Sequence, residues 1–215
     1  MARRFAGSTA TDNISFGSIA PTALRSISSW FYLDAIDSTP RRLCNWGDGA
    51  ATTDIDSFFV DAAGEENTRY IARWETTGGA WSIANPSTGV WHHLIVTYDG
   101  GATTNDPIIY IDGTSQTVTE VSTPAGSLNT GSQTFKIGNR NDNVRCWDGA
   151  IAEFARWDRI LSSGEIAALA KGFSPIFFDP IFYAPLIGRN SPETQPISST
   201  TGTVTGAVVD AHPRI

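Results

Sequence analysis

Only one stretch of this 215-residue chain reads as a helix, and it is short. Ser162-Ser163-Gly164-Glu165 has the form of a capping box, in which the serine hydroxyl accepts from the backbone N–H of Glu165 and the glutamate reaches back. Ile166, Leu169 and Ala170 follow at helical spacing, and Gly172 is a natural stop. Elsewhere the pattern has a period of two. "RSISSWFYLD" puts Ile27, Ser29, Phe31 and Leu33 on one set of positions and Trp30 and Tyr32 on the other. "WHHLIVTYDG" sets His92, Leu94, Val96 and Tyr98 against His93, Ile95 and Thr97, and "PIIYIDG" ends in Asp112-Gly113, a tight hairpin signal. Segments of this kind, separated by Gly, Asn, Asp, Ser and Thr clusters, give roughly a dozen strands. A dozen strands and one helix predict an all-β sandwich rather than an alternating α/β fold.

The strand leading into the helix is less regular. Strict alternation over residues 150–157 places Ile151, Glu153, Ala155 and Trp157 on one face and Ala150, Ala152, Phe154 and Arg156 on the other. Neither face is polar throughout, so this strand is expected in a sheet covered on both sides or beside a packed loop. The net charge of −7 and the presence of only two lysines, Lys136 and Lys171, leave no basic stripe for phosphates, so no nucleic-acid partner is expected. The longest apolar run, "PIFFDPIFYAPLIG", is broken by Asp179 and three prolines and predicts no membrane span. Cys44 and Cys146 have no metal-site spacing, and "MARRFAGSTATDN" has no apolar signal core, so two buried free thiols in a protein made in a cytoplasm are expected.

"VWHHLIVTYDG", "IIYIDG", "FKIGNR" and "WDGAIAEFARWDRILSSGEIAAL", in that order, resemble the second half of a laminin-G-like or pentraxin-like domain of the concanavalin A-like jelly-roll superfamily. "RRFAGSTATDNISFGS" resembles that family's edge strand, with Asn13 where an aromatic is usual. The resemblance implies a jelly roll over residues 1–173 and a C-terminal extension over 174–215. Within the extension, "FYAPLIGRNSPETQPISSTTGTVTGAVV" resembles the strand pair that normally opens such domains. Two expectations follow for residues 181–209: a circular permutation in which they return to the N-terminal strand, or an arm that packs on a neighbouring copy.

Catalytic chemistry is not expected. Retaining glycosidases need two carboxyls about 5–5.5 Å apart, and no strand here carries the relatives' paired acids. His92 and His93 are adjacent and face opposite ways on a strand, and spacing suggests no Ser-His-Asp set. Calcium is the one metal the resemblance raises. It takes six to eight oxygens, and the oxygen-rich loops offer Asp48 and Asp54 in one and Asn139 and Asp142 in the other. For a glycan, which needs an aromatic platform beside hydrogen-bonding groups, the candidate residues are Trp46 with Asp48, and Trp147 with Asp148.

The Ser/Thr/Pro-rich tail and its "His-Pro-Arg-Ile" ending resemble virion proteins of tailed bacteriophages. That resemblance implies a non-enzymatic head-decoration protein on the virion surface, bound to the major capsid protein or another virion protein and assembled there as a homo-oligomer. The alternative is a lectin-like carbohydrate-binding module for host or mucus glycans.

Overall fold

A computed structural model describes residues 1–7, 11–37, 39–47, 56–60, 67–188, 191–197 and 200–212. Two antiparallel sheets pack face to face. The first contains β1 (Ala2–Ala6), β3 (Leu24–Leu33), β8 (Trp91–Asp99), β9 (Ile108–Ile111), β10 (Thr114–Ser115), β13 (Asp148–Trp157), β14 (Phe182–Ala184) and β17 (Val208–Asp210). Its order is β10-β9-β8-β3-β13-β1-β17, and β14 also pairs with β13. The second contains β2 (Asn13–Ile19), β4 (Arg41–Trp46), β5 (Asp56–Val60), β6 (Asn67–Ala72), β7 (Gly79–Ala84), β11 (Thr119–Ser122), β12 (Gln133–Ile137), β15 (Glu193–Thr194) and β16 (Thr201–Thr205). Its order is β11-β7-β6-β5-β4-β12-β2-β16-β15. The result is an antiparallel β-sandwich with, among the described residues, one short α-helix, α1 (Ser163–Ala170).

The alternating residues meet between the sheets. Phe31, Leu94, Val96 and Ile151 of the first sheet face Ile14, Phe16, Phe58 and Phe135 of the second, all buried. Trp46 stacks on Phe135 at 3.8 Å, with Phe154 and Phe182 set edge-on or tilted around the pair. Cys44 and Cys146 are buried and are not joined in a disulfide. Helix α1 packs Ile166 and Leu169 on the outer side of the first sheet, against Ile95, Ala155 and Trp157. Its capping box is formed, and Arg159 holds the Glu165 carboxyl down at about 2 through its hydrogen bonds. A second cluster on the same outer side joins Ala2, Trp30, Ala150 and Ala152. Both halves of that face are therefore apolar, which is why β13 has no polar side.

Strict alternation fails on β13. The register against β3 shifts between Ala152 and Ala155, and Glu153 takes φ +52°. This bulge turns Ile151, Phe154 and Arg156 toward the core and leaves Ala150, Ala152, Ala155 and Trp157 on the outside. The shift lies at a seam. β1 pairs with Asp148–Ile151 of β13, and β14 pairs with Phe154–Arg156, so one neighbour replaces another where the bulge sits. At the start of β13, Gly149 lets β3 approach: a Cβ there would lie 2.0 Å from the Tyr32 carbonyl oxygen.

The C-terminal segment pairs within its own chain. β16 adds to β2 (Thr203 opposite Ser15), and β17 adds to β1 (Val209 opposite Arg3). A buried ion pair, Arg3 Nε to Glu193 Oε1 at 2.7 Å, fastens it. Arg3 also donates to the Ala207 carbonyl, and Arg4 pairs with Asp210 at 2.5 Å.

Candidate functional site

The residues proposed from sequence scatter. Trp46 and Trp147 have no exposed surface. Trp46 is stacked on Phe135 under Arg156, and the Trp147 indole N–H donates to the Tyr32 carbonyl at 3.1 Å. Neither can form an aromatic platform, a correction to the expectation above; each falls on the inward side of its sheet or loop, where apolar contact outweighs exposure. Asp148 is half-buried at the start of β13. Burial pushes its carboxyl up, Asp34 and Asp37 add to this, and Arg41 and Arg4 oppose it.

The calcium residues do not assemble either. Asp48 and Asp54 lie outside the described residues. The Asn139 carbonyl oxygen accepts from the backbone of Arg140 and Arg145, and its amide donates to the Asp12 carbonyl. Asp142 takes both oxygens to Arg140 and accepts from the Val144 amide; burial raises its carboxyl, but these bonds outweigh that and hold it low. Lys136 Nζ already occupies the loop as a cation, 2.7 Å from Asn143 Oδ1. Among the described residues no three His, Cys, Asp or Glu side chains cluster as a metal site. The described oxygens do not fit calcium.

The two histidines part as strand geometry requires. His93 faces outward against Trp30 (4.9 Å), and its Nε2 meets Ser28 Oγ at 2.9 Å; burial depresses it to about 3, so it is neutral. His92 faces inward at the sandwich rim, against Phe31. Its Nδ1 lies 2.7 Å from the Asp112 carboxylate, and its Nε2 lies 2.9 Å from the Ser87 hydroxyl and 3.2 Å from the Ser87 carbonyl oxygen. The Asp112 carboxylate also accepts from the His93 amide. Ser87, His92 and Asp112 thus stand in the order of a hydrolase triad, which spacing does not suggest; here the set ties the loop before β8 to the turn after β9.

What the fold presents to solvent is an aromatic strip on the outer face of the first sheet. Tyr32 and Trp91 are direct cross-strand partners, both half-buried, with ring centroids 5.9 Å apart. Arg4 lies over the Tyr32 ring at 5.6 Å. Trp30, the next outward residue of β3, is itself buried at 7% exposure and is joined to Trp91 through the His212 ring, at 5.7 and 5.1 Å. The neighbouring outward positions are Ala2, Ala150 and Ala152, so the rings stand beside a shallow floor.

At the Trp30 end the strip opens into a cleft of about 320 Å³ lined by Met1, Trp30, Glu153, Gly172, Phe173, Ser174 and His212. Phe173 is 57% exposed. The bulge brings Glu153 here, where its carboxylate accepts from Tyr183 Oη, itself 3.2 Å from Ser174 Oγ. Burial raises the Glu153 carboxyl above the usual glutamate value; the Tyr183 hydrogen bond and the amino group of Met1 offset part of that. A non-glycine residue in left-handed backbone, a perturbed carboxyl and a cleft coincide at one position, the combination that marks functional sites. Sequence reasoning misses these residues because Trp30 and Tyr32 figure there only as the second face of an alternating strand. Two aromatics on the face opposite Phe31 and Leu33 are the available signal.

Residues 7–167 match the family described as the concanavalin A-like lectin/glucanases superfamily. No curated protein matches the chain. Among solved structures, a Bacteroides ovatus protein described as carbohydrate-binding superposes at TM-score 0.71 with 16% identity, over 98% of this chain; the chain spans 60% of that structure. The heptameric SAP-like pentraxin of Limulus polyphemus gives 0.59 and 12%, over 79% of this chain and 81% of its own. The CBM40 of the Ruminococcus gnavus IT-sialidase, solved with α2,3-sialyllactose, gives 0.53 and 11%, over 73% and 97%. At these identities the likeness is one of fold.

Proposed function

The chain belongs to the concanavalin A-like lectin/glucanase superfamily, and on that premise we propose that it is a non-catalytic carbohydrate-binding protein. It holds a glycan across the outer face of the eight-stranded sheet. The observation that carries this is the half-exposed pair Tyr32–Trp91, beside which the largely buried Trp30 leads into a cleft with hydrogen-bonding groups. Sugars offer apolar C–H faces and rings of hydroxyls, and half-exposed aromatics beside polar side chains satisfy both. The cleft is at the small end of the size range for ligand sites, which suits one or two sugar residues in it and more along the strip. Its lining holds a single carboxylate, Glu153, among the described residues, whereas glycoside hydrolysis by the usual route takes two. The glycan reading agrees with relatives described as carbohydrate-binding. Nothing in the relatives or the site supports head decoration, and the glycan-binding alternative is the better supported of the two.

A glycan array followed by calorimetry tests this. Wild-type protein is expected to bind a defined set of glycans saturably. Trp91→Ala and Tyr32→Ala each weaken binding about tenfold or more, the loss of one aromatic contact, with unchanged circular dichroism. Val121→Ala, an exposed position on the other sheet, leaves affinity unchanged. Binding untouched by both aromatic changes would remove this face from consideration.

A further inference from the structure

The polar floor of the cleft has a fixed hydrogen-bond direction. Tyr183 has one hydroxyl proton and gives it to the Glu153 carboxylate. Ser174, 3.2 Å from the Tyr183 oxygen, must therefore spend its own proton on Tyr183. The chain runs Ser174 to Tyr183 to Glu153, and each link is used up. The second carboxylate oxygen, Glu153 Oε1, has no partner within the described protein, and Glu153 lines the cleft. The Ser174 oxygen keeps lone pairs and no proton. The rim repeats the pattern: the amides of Gly172 and Phe173 donate to the carbonyls of Leu169 and Ala168 at the end of α1.

We infer that the Glu153–Ser174 corner of the cleft is a donor-selective subsite: it takes sugar residues that present hydroxyl or ammonium donors and turns away a carboxylate or sulfate placed there. This rests on the glycan-binding reading above and names the class of sugar. Glu153 Oε1 and Ser174 Oγ each offer an acceptor to a hydroxyl or amine of the sugar, and Phe173, on the same lining, offers an apolar surface to its C–H face. A carboxylate in the same place would set acceptor against acceptor beside a charge of the same sign, and its lost hydration would go unreplaced. Such a mismatch at a site built for donors discriminates strongly, because the site's own polar groups are left unpaired. The left-handed backbone at Glu153 serves this arrangement: without the bulge, strict alternation would point residue 153 to the other face of β13. The Trp30 indole and the amino group of Met1, which also line the cleft, are donors, so the selection for donors is local to the corner formed by Glu153 and Ser174.

The experiment is calorimetry with matched pairs: lactose against 3′-sialyllactose, and glucosamine oligomers against oligomers of glucuronic acid or 6-sulfated glucosamine. Wild-type protein is expected to bind the hydroxyl- or ammonium-bearing member at least tenfold more tightly. Glu153→Gln, which keeps the shape and presents an amide donor, is expected to weaken the neutral and amino ligands about tenfold and to narrow the gap to the acidic ones. Tyr183→Phe frees the Ser174 proton and is expected to narrow it too. If acidic and neutral partners bind equally, or Glu153→Gln leaves the ratio unchanged, donor selection is overturned while glycan binding stands. If no ligand of either class binds, the glycan reading fails and this inference with it.

Discussion

Glu153 carries two costs at once. Its backbone sits at φ +52°, a conformation that side chains with a Cβ adopt at a cost of about 1–2 kcal/mol. Its carboxyl is pushed up by burial, which the Tyr183 hydrogen bond only partly offsets. For a carboxyl whose folded value lies above its unfolded one, the folded state is favoured while the group is protonated in both states. That advantage is lost as pH rises through the folded value. Glu153→Gln is therefore expected to be more stable than the parent at pH 7–8. The two converge at pH 4 and below. Urea denaturation at the two pH values checks this, and a variant no more stable at pH 8 would show that the carboxylate is already well compensated. The same substitution is expected to weaken ligand binding, and a gain in stability paired with a loss of binding separates a functional residue from a structural one. Trp46 and Trp91 illustrate the converse. Both are tryptophans on strands, but Trp46 is enclosed by Phe135, Phe154 and Arg156, while Trp91 meets solvent beside Tyr32.

Helix α1 is the element that confines the cleft. It is eight residues long, too short to persist alone, and stays helical because Ile166 and Leu169 pack on the sheet and Ser162 caps its first turn. Its end sets Gly172, Phe173 and Ser174 at the rim. Ser162→Ala is expected to cost about 1 kcal/mol, the usual worth of an N-cap. It is also expected to loosen the rim, so that glycan affinity falls with little change in the far-ultraviolet spectrum. Thermal melting and calorimetry on the one variant check both; affinity unchanged at a lowered Tm would mean that the rim does not depend on the cap. The Glu165–Arg159 pair adds little to this, since both side chains meet solvent and are screened. β13 is the other element that matters. Its bulge lies where β1 gives way to β14, so the site exists only where the N-terminal strand and the C-terminal segment meet on one strand.

Across the whole molecule, the C-terminal segment covers what would otherwise be two exposed sheet edges, that of β1 and that of β2. Unpaired edges invite association with other chains. The segment is locked by Arg3 and Glu193, 190 positions apart and with side chains 7% and 1% exposed. Glu193→Ala removes a carboxylate from the buried Arg3 guanidinium and is expected to cost about 3–5 kcal/mol. Because Arg3 lies on β1 beside the seam, the loss is expected to be global. A lowered urea midpoint for the whole transition is the expected result, and an unchanged midpoint would show the segment to be dispensable. Truncation of the segment would expose the edges as well, and so cannot isolate this pair.

The class of fold, the strand-by-strand alternation, the capped helix and the resemblance to the family are all legible in the order of residues, because each depends on residues close together in the chain. Strand period, turn chemistry and capping are local properties, and they need no knowledge of the fold. The same local information puts Trp46 and Trp147 forward as a glycan platform, and there it fails. Alternation shows that a strand has two faces, but which one meets solvent depends on what packs against it. For β3 the decisive neighbours are β8 and β13, dozens of residues away. The bulge at Glu153 is likewise invisible in the order of residues, because it arises from a register against β3 and from a change of partner on the other side. It takes the packed sandwich to join Tyr32, Trp91 and Trp30 into one strip, and to turn the glutamate of a seemingly plain strand into a cleft. Site residues gathered from both ends of a chain are joined by contacts of high sequence separation, and no short-range pattern encodes those.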